Sequence, residues 1–214
     1  MQYPLISEYV KAIQDASDNL DMSTEATNAE LLKEAITDEF GVEYSKDGRK
    51  LLKAPYELNG TFSIKEGTKI ICDWAFSDCS SLSSLVIPDS VISIGYGAFE
   101  GCFSLGSLVI PDSVTSIGNC AFHDCSSLGS LVIPDGVISI GESAFLCCSS
   151  LRSLVIPNSV ISIGDSAFLR CSSLRSLVIP DSVTSIGNEA FRGCNLPDNL
   201  KQELISRFGE KIFG

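Results

Sequence analysis

Histidine, tryptophan and methionine are nearly absent from this chain: among 214 residues there are one, one and two. A single histidine, His123, leaves any His-dependent general base or triad one candidate. Positive charge is also scarce. Fifteen Lys and Arg stand against twenty-seven Asp and Glu, a net charge of −12. The deficit is spread evenly, with twelve acidic and six basic residues both in the first 60 positions and from 61 to 194. Neither part offers the clustered Lys and Arg that phosphate backbones or anionic lipid need, so nucleic acid is excluded as a partner. Membrane insertion is excluded too, because no apolar run approaches bilayer length. The chain also lacks a G-x-S-x-G elbow and a P-loop, and Gly95, Gly97 and Gly101 miss the dinucleotide spacing.

What the chain has is repetition. SLVIPDSVTSIGN occurs at 107–119 and again, unchanged, at 176–188. The offset of 69 is three steps of 23, marked by Pro88, Pro111, Pro134, Pro157 and Pro180. Five full units begin at Leu82, Leu105, Leu128, Leu151 and Leu174, and 13 of their 23 positions never change. A degenerate unit precedes them, in which Phe62, Ile64, Ile71, Ala75, Phe76 and Cys79 fall in phase. A fixed period in the twenties predicts a solenoid. One unit buries too little apolar surface to offset the ordering of its own backbone, so its core must be shared with neighbours.

Within a unit, LVIP alternates like a strand, with Leu and Ile inward and Ser and Val outward. Proline ends it. VxSIG predicts a second extended piece with Val91 and Ile94 inward, and AFxxC suits one helical turn. The repeat LxxLxIPxSVxxIGxxAFxxC resembles that of the BspA-like leucine-rich repeat proteins, and YSKDGRKLLKAP, 44–55, resembles the hairpin that leads into such arrays. The resemblance implies a right-handed α/β solenoid and a binding role rather than catalysis.

The expected organisation is a helical N-terminal hairpin or cap over 1–41, a leucine-rich repeat solenoid over 42–194, and a capping helix over 195–214. Leu5, Tyr9, Ile13 and Ala16 suggest one N-terminal helix; Leu31, Leu32, Ala35, Ile36 and Phe40 suggest a second that Gly41 ends. The pair reads as a cap on the first coil or as a separate docking module. In the C-terminal segment, Leu200, Leu204 and Phe208 recur at helical spacing and Asp198 is placed as N-cap. The N-terminal stretch MQYPLISEYVKAI lacks a basic start and a long apolar core, which favours a cytoplasmic setting; the family resemblance favours the cell surface.

Six of the nine cysteines, Cys79, Cys102, Cys125, Cys148, Cys171 and Cys194, share one position and are expected as an inward ladder of free thiols. Cys120, His123 and Cys125 form the one grouping that resembles a metal site, and it lacks a fourth ligand. No metal or cofactor is expected. Two outward surfaces remain as partner-binding candidates. The sheet face carries Ser107, Val109, Ser130, Val132, Val155 and Val178, with Arg152 and Arg175 stacked beside it. The variable edge carries Tyr96, His123, Leu146, Leu169 and Arg192. The function expected is a non-enzymatic protein-binding scaffold. A surface adhesin or glycan binder is the alternative, with Tyr96 and Phe103 as its aromatic candidates, and a self-associating element, a weak homo-oligomer, is the third reading.

Overall fold

The structure, a computed structural model, describes residues 22–27 and 30–214. The first predicted helix, around Leu5 to Ala16, lies outside the described residues, as does the stretch on which the cytoplasmic expectation rests.

Three antiparallel strands lead in: β1 (Ile36–Thr37), β2 (Glu43–Tyr44) and β3 (Lys50–Lys53). Each following coil then contributes two short strands: β4 (Gly60–Ser63) and β5 (Ile70–Ile71), β6 (Leu82–Val86) and β7 (Ser93–Ile94), β8 (Ser107–Val109) and β9 (Ser116–Ile117), β10 (Ser130–Val132) and β11 (Ser139–Ile140), β12 (Ser153–Val155) and β13 (Ser162–Ile163), β14 (Ser176–Val178) and β15 (Ser185–Ile186). All coil-to-coil pairings are parallel, and from β6 onward each residue pairs with its own copy 23 positions away, as in Val86 with Val109 and Val109 with Val132. The odd-numbered strands join β1 and β2 in one nine-stranded sheet. The LVIP strands form a four-stranded sheet, β4-β6-β8-β10, and the pair β12-β14. The result is a β-solenoid of about six turns with the leucine-rich repeat fold.

The AFxxC segment is not the expected helical turn. Its amides alternate between two partners. Ala75, Ser77 and Cys79 bond back three residues to Cys72, Trp74 and Phe76, while Trp74, Phe76 and Asp78 reach the carbonyls of Tyr96, Ala98 and Glu100 in the next coil. A helix would use every amide internally; here half of them form a third ladder between coils, closest at Phe76, Phe99 and Arg170, 2.7 Å each. The phenylalanines stack accordingly. Phe76, Phe99, Phe122, Phe145, Phe168 and Phe191 form a buried column with ring centroids 5.0–5.5 Å apart and interplanar angles of 1–14°.

The two ends differ from expectation in instructive ways. Glu30–Glu34 forms a single π-helical turn, and the second predicted helix goes no further, because Ile36 enters β1. Asp38 stops any continuation: its carboxylate accepts the amides of Phe40 and Val42, both at 2.9 Å, and Gly41 at φ +82° turns the chain back into β2. The buried Lys50 ammonium lies 3.5 Å from Glu30 and ties this segment down. At the other end, α1 (Asp198–Phe208) forms where expected and seats Leu204 in the core, with Leu200 and Phe208 half-buried against it. Asp198 is the first helical residue and makes no side-chain cap; Pro197 precedes it. Beyond Gly209, the tail imitates another coil. Lys211 and Ile212 accept the amides of Glu189 and Phe191, and Phe213 lies over Phe191 at 6.4 Å.

Candidate interaction surfaces

Strand alternation decides the first surface. Leu85, Ile87 and their copies turn inward, so Ser84, Val86 and theirs must turn outward. Val86, Val109, Val132, Val155 and Val178 are 53–73% exposed. Ser107, Ser130, Ser153 and Ser176 run alongside, also exposed. Within each of the two sheets neighbouring copies are about 4.8 Å apart, the spacing of paired strands, and the ladder is interrupted between β10 and β12. The result is a flat row of methyl and hydroxyl groups, with charge only where Arg152 and Arg175 stand exposed at its C-terminal end. A shallow cleft of about 330 Å³ lies between these arginines and Ser173. Sequence reasoning missed a second apolar pair, exposed Ile138 and Ile161, which precede β11 and β13. Their outward phase was visible in the alternation of Ile and Thr at that position.

The variable edge has a conformational rule that the sequence hid. In every coil the residues flanking the Ala-Phe step take the left-handed region. Trp74, Cys120, Ser143, Ser166 and Glu189 do so at one position and Asp78, Asp124, Cys147 and Arg170 at the other, with φ between 53° and 62°. Glycine fills the same sites at 97, 101 and 193, which was the available signal. Variation here is therefore filtered by backbone geometry before any partner acts on it. Leu146 and Leu169, expected as an exposed pair, are half-buried, because the inter-coil ladder draws their turns together. His123 lies 3.5 Å from both Glu100 and Asp124, and exposed Arg192 holds Glu189 at 2.8 Å. Tyr96 packs edge-on against Trp74, centroids 4.7 Å apart, and its hydroxyl accepts the Cys120 thiol at 3.6 Å. The exposed aromatics thus include Trp74 and Tyr56 as well as Tyr96 and Phe103.

The thiol ladder is buried as expected, and its thiols are hydrogen-bonded between coils. Each thiol donates to a carbonyl of the preceding coil, Cys102 to Phe76, Cys125 to Phe99, Cys148 to Phe122, Cys171 to Phe145 and Cys194 to Phe168, all at 3.2 Å. The same carbonyls accept the amides of Cys79, Cys102, Cys125, Cys148 and Cys171, so both lone pairs are used. Burial pushes the Cys79 thiol up to about 11 and those of Cys102, Cys125 and Cys148 up as well. For Cys171 the bond with the Cys194 thiol is the first cause and burial the second. Cys125 therefore points away from Cys120 and His123. Among the described residues no three His, Cys, Asp or Glu gather as metal ligands.

The family profile described as BspA type leucine rich repeat region matches residues 57–154 and 93–214, with six copies. Among solved structures, the leucine rich repeat protein of T. pallidum is 28% identical over 81% of this chain and 92% of its own, with a TM-score of 0.67. A leucine-rich repeat protein from Bacteroides ovatus is 25% identical, TM-score 0.56, covering 77% of this chain and 50% of that one. The pneumococcal vaccine antigen PcpA, 23% identical over 82% of this chain and 46% of its own, shares the fold with a TM-score of 0.62. No curated protein matches.

Proposed function

The chain belongs to the BspA type leucine-rich repeat family, and from that premise we propose that it is a non-enzymatic interaction scaffold that binds another protein through its sheet face. The observation that carries this reading is the valine row. Five β-branched side chains repeat at one position, in register over Val86, Val109 and Val132 and over Val155 and Val178, more than half exposed, on a surface where exposure gains them nothing from the core. A strand ladder alone accounts for β-branching but not for a contiguous apolar strip, and such strips mark contact surfaces. Arg152 and Arg175 at one end would give the contact polarity and register.

The side chains able to do chemistry support the same reading. The ladder thiols are buried, burial pushes those of Cys102, Cys125 and Cys148 up, and His123 lies against the carboxylates of Glu100 and Asp124. Among the described residues no helix is long and apolar enough to cross a membrane. The partner's compartment is open to experiment: lysate and surface fractions of the host are presented separately to wild type and to Val132→Lys/Val155→Lys. A partner retained by wild type and lost by the double variant is the expected result. Equal retention by both would move binding off this face. A wild-type dimer that the variant lacks would replace the scaffold reading with self-association.

A further inference from the structure

One position on the turn edge carries a large aromatic ring in the first coil alone. The site that Gly97, Cys120, Ser143, Ser166 and Glu189 fill in later coils holds Trp74 in the first, at φ +60°. A left-handed conformation costs a non-glycine residue about 1–2 kcal/mol. Trp74 is 47% exposed, so about half of its ring surface stays open to solvent. Five other coils close their turns without it. Its orientation is nonetheless fixed. The Tyr96 ring meets it edge-on, and a Cβ at Gly97 would lie 2.5 Å from the Trp74 ring, so the next coil leaves room for that ring by carrying no side chain there.

The fixed ring forms one wall of a cleft of about 610 Å³. Across it runs the segment that holds Lys53, Tyr56 and Glu57, and Asp78 completes the floor. The walls are tied together by the Ala54 amide, which donates to the Ala75 carbonyl at 2.7 Å. Tyr56 is 69% exposed, and the Glu57 carboxylate beside it pushes its phenol up. Two aromatic residues, two carboxylates and one lysine thus line the cleft, on a chain of net charge −12.

We infer that this cleft binds an arginine side chain of a peptide segment, the guanidinium lying on Trp74 and pairing with Glu57 and Asp78. Indole is the strongest cation–π face among the side chains, and the planar guanidinium can stack and donate to a carboxylate at once. The electrostatics favour a cation here. This site is separate from the valine row and does not depend on it.

Trp74 is the chain's single tryptophan, so its emission reports the cleft directly. The full-length protein is titrated with the peptide acetyl-Gly-Arg-Gly-Arg-Gly-amide, with its asparagine counterpart, and with a neutral oligosaccharide of glucose. A saturable emission change with the arginine peptide alone, weakened by added salt, is expected. Glu57→Gln and Asp78→Asn should each weaken it about two- to five-fold, the range of an exposed ion pair. Calorimetry on Trp74→Gly, which carries the residue of the next coil and so keeps the turn, should show binding lost. The inference is overturned by no saturation at millimolar arginine peptide, by an equal response to the asparagine peptide, by unchanged binding in the carboxylate variants, or by a response to the oligosaccharide alone.

Discussion

Replacing Gly164 with alanine tests how the coils are held apart. A Cβ there would sit 2.6 Å from the Glu142 amide nitrogen and 2.8 Å from both the Glu142 Cα and the Gly141 carbonyl carbon. All three are backbone atoms that cannot swing aside. Ordinary carbon contacts lie near 3.5 Å, so the two coils must part locally by about 0.8 Å. The bond from the Gly164 amide to the Ile140 carbonyl, 2.9 Å long, would then exceed hydrogen-bonding range. Overpacking of this kind costs about 1–3 kcal/mol, and a lost backbone bond adds about 1. Gly164→Ala should therefore destabilise by about 2–4 kcal/mol. The control is Gly129→Ala, whose Cβ would meet nothing closer than 3.9 Å. There the loss of unfolded-chain freedom should stabilise by about 0.4–1 kcal/mol. Urea unfolding followed by circular dichroism gives the difference, and amide exchange should loosen first between Ile140 and Gly187, because coils contact only their neighbours. If the two variants fall within about 0.5 kcal/mol of each other, the size of a neutral surface change, the close-approach argument is wrong.

Four further outcomes follow from other features. Ser143→Gly and Ser166→Gly relieve left-handed strain and should each raise stability by about 1 kcal/mol, read as a higher urea midpoint; a fall would refute the strain. Thiols raised by burial contribute stability that is complete below the unfolded thiol pKa and is lost as pH rises toward the folded one. Stability should accordingly fall above about pH 8.5, by about 1.4 kcal/mol per pH unit for each of Cys79, Cys102, Cys125, Cys148 and Cys171, and Cys125→Ala should flatten the slope. In the native state a thiol reagent should reach the half-buried Cys120 and Cys147 and spare the other seven until unfolding. Arg207→Ala removes donors to the Ile179 and Pro180 carbonyls, each at 3.1 Å, and should cost about 1–2 kcal/mol with fraying confined to the last coil.

The repeat was legible because its physics is local and periodic. The alternation in LVIP correctly placed Leu85 inside and Val86 outside, and the constant Cys and Phe announced columns that the structure stacks. The C-terminal stripe Leu200, Leu204 and Phe208 likewise predicted α1. Features that depend on hydrogen bonds between coils were not legible. AFxxC has the spacing of a helical turn, yet half of its amides serve the next coil, and nothing in one unit shows that. The left-handed sites left only a faint trace, glycine at 97, 101 and 193 among otherwise unrelated residues. Trp74 was not legible either: the degenerate first unit matches the repeat only at its core positions, and nothing in its outer residues announces the site that Gly97 and Cys120 fill. In the lead-in segment, apolar spacing from Leu31 to Phe40 suggested a helix, and the Asp38 turn overrode it.

The central claim is that the uncharged sheet face is where this scaffold meets its partner. The direct measurement is photocrosslinking in the host, with a photoreactive phenylalanine placed at Val132 in one protein and at Asp165, on the opposite edge, in another. Crosslinks to one protein species from position 132 and none from 165 are the predicted result. Crosslinks from 165 alone would place contact on the turn edge and contradict the claim.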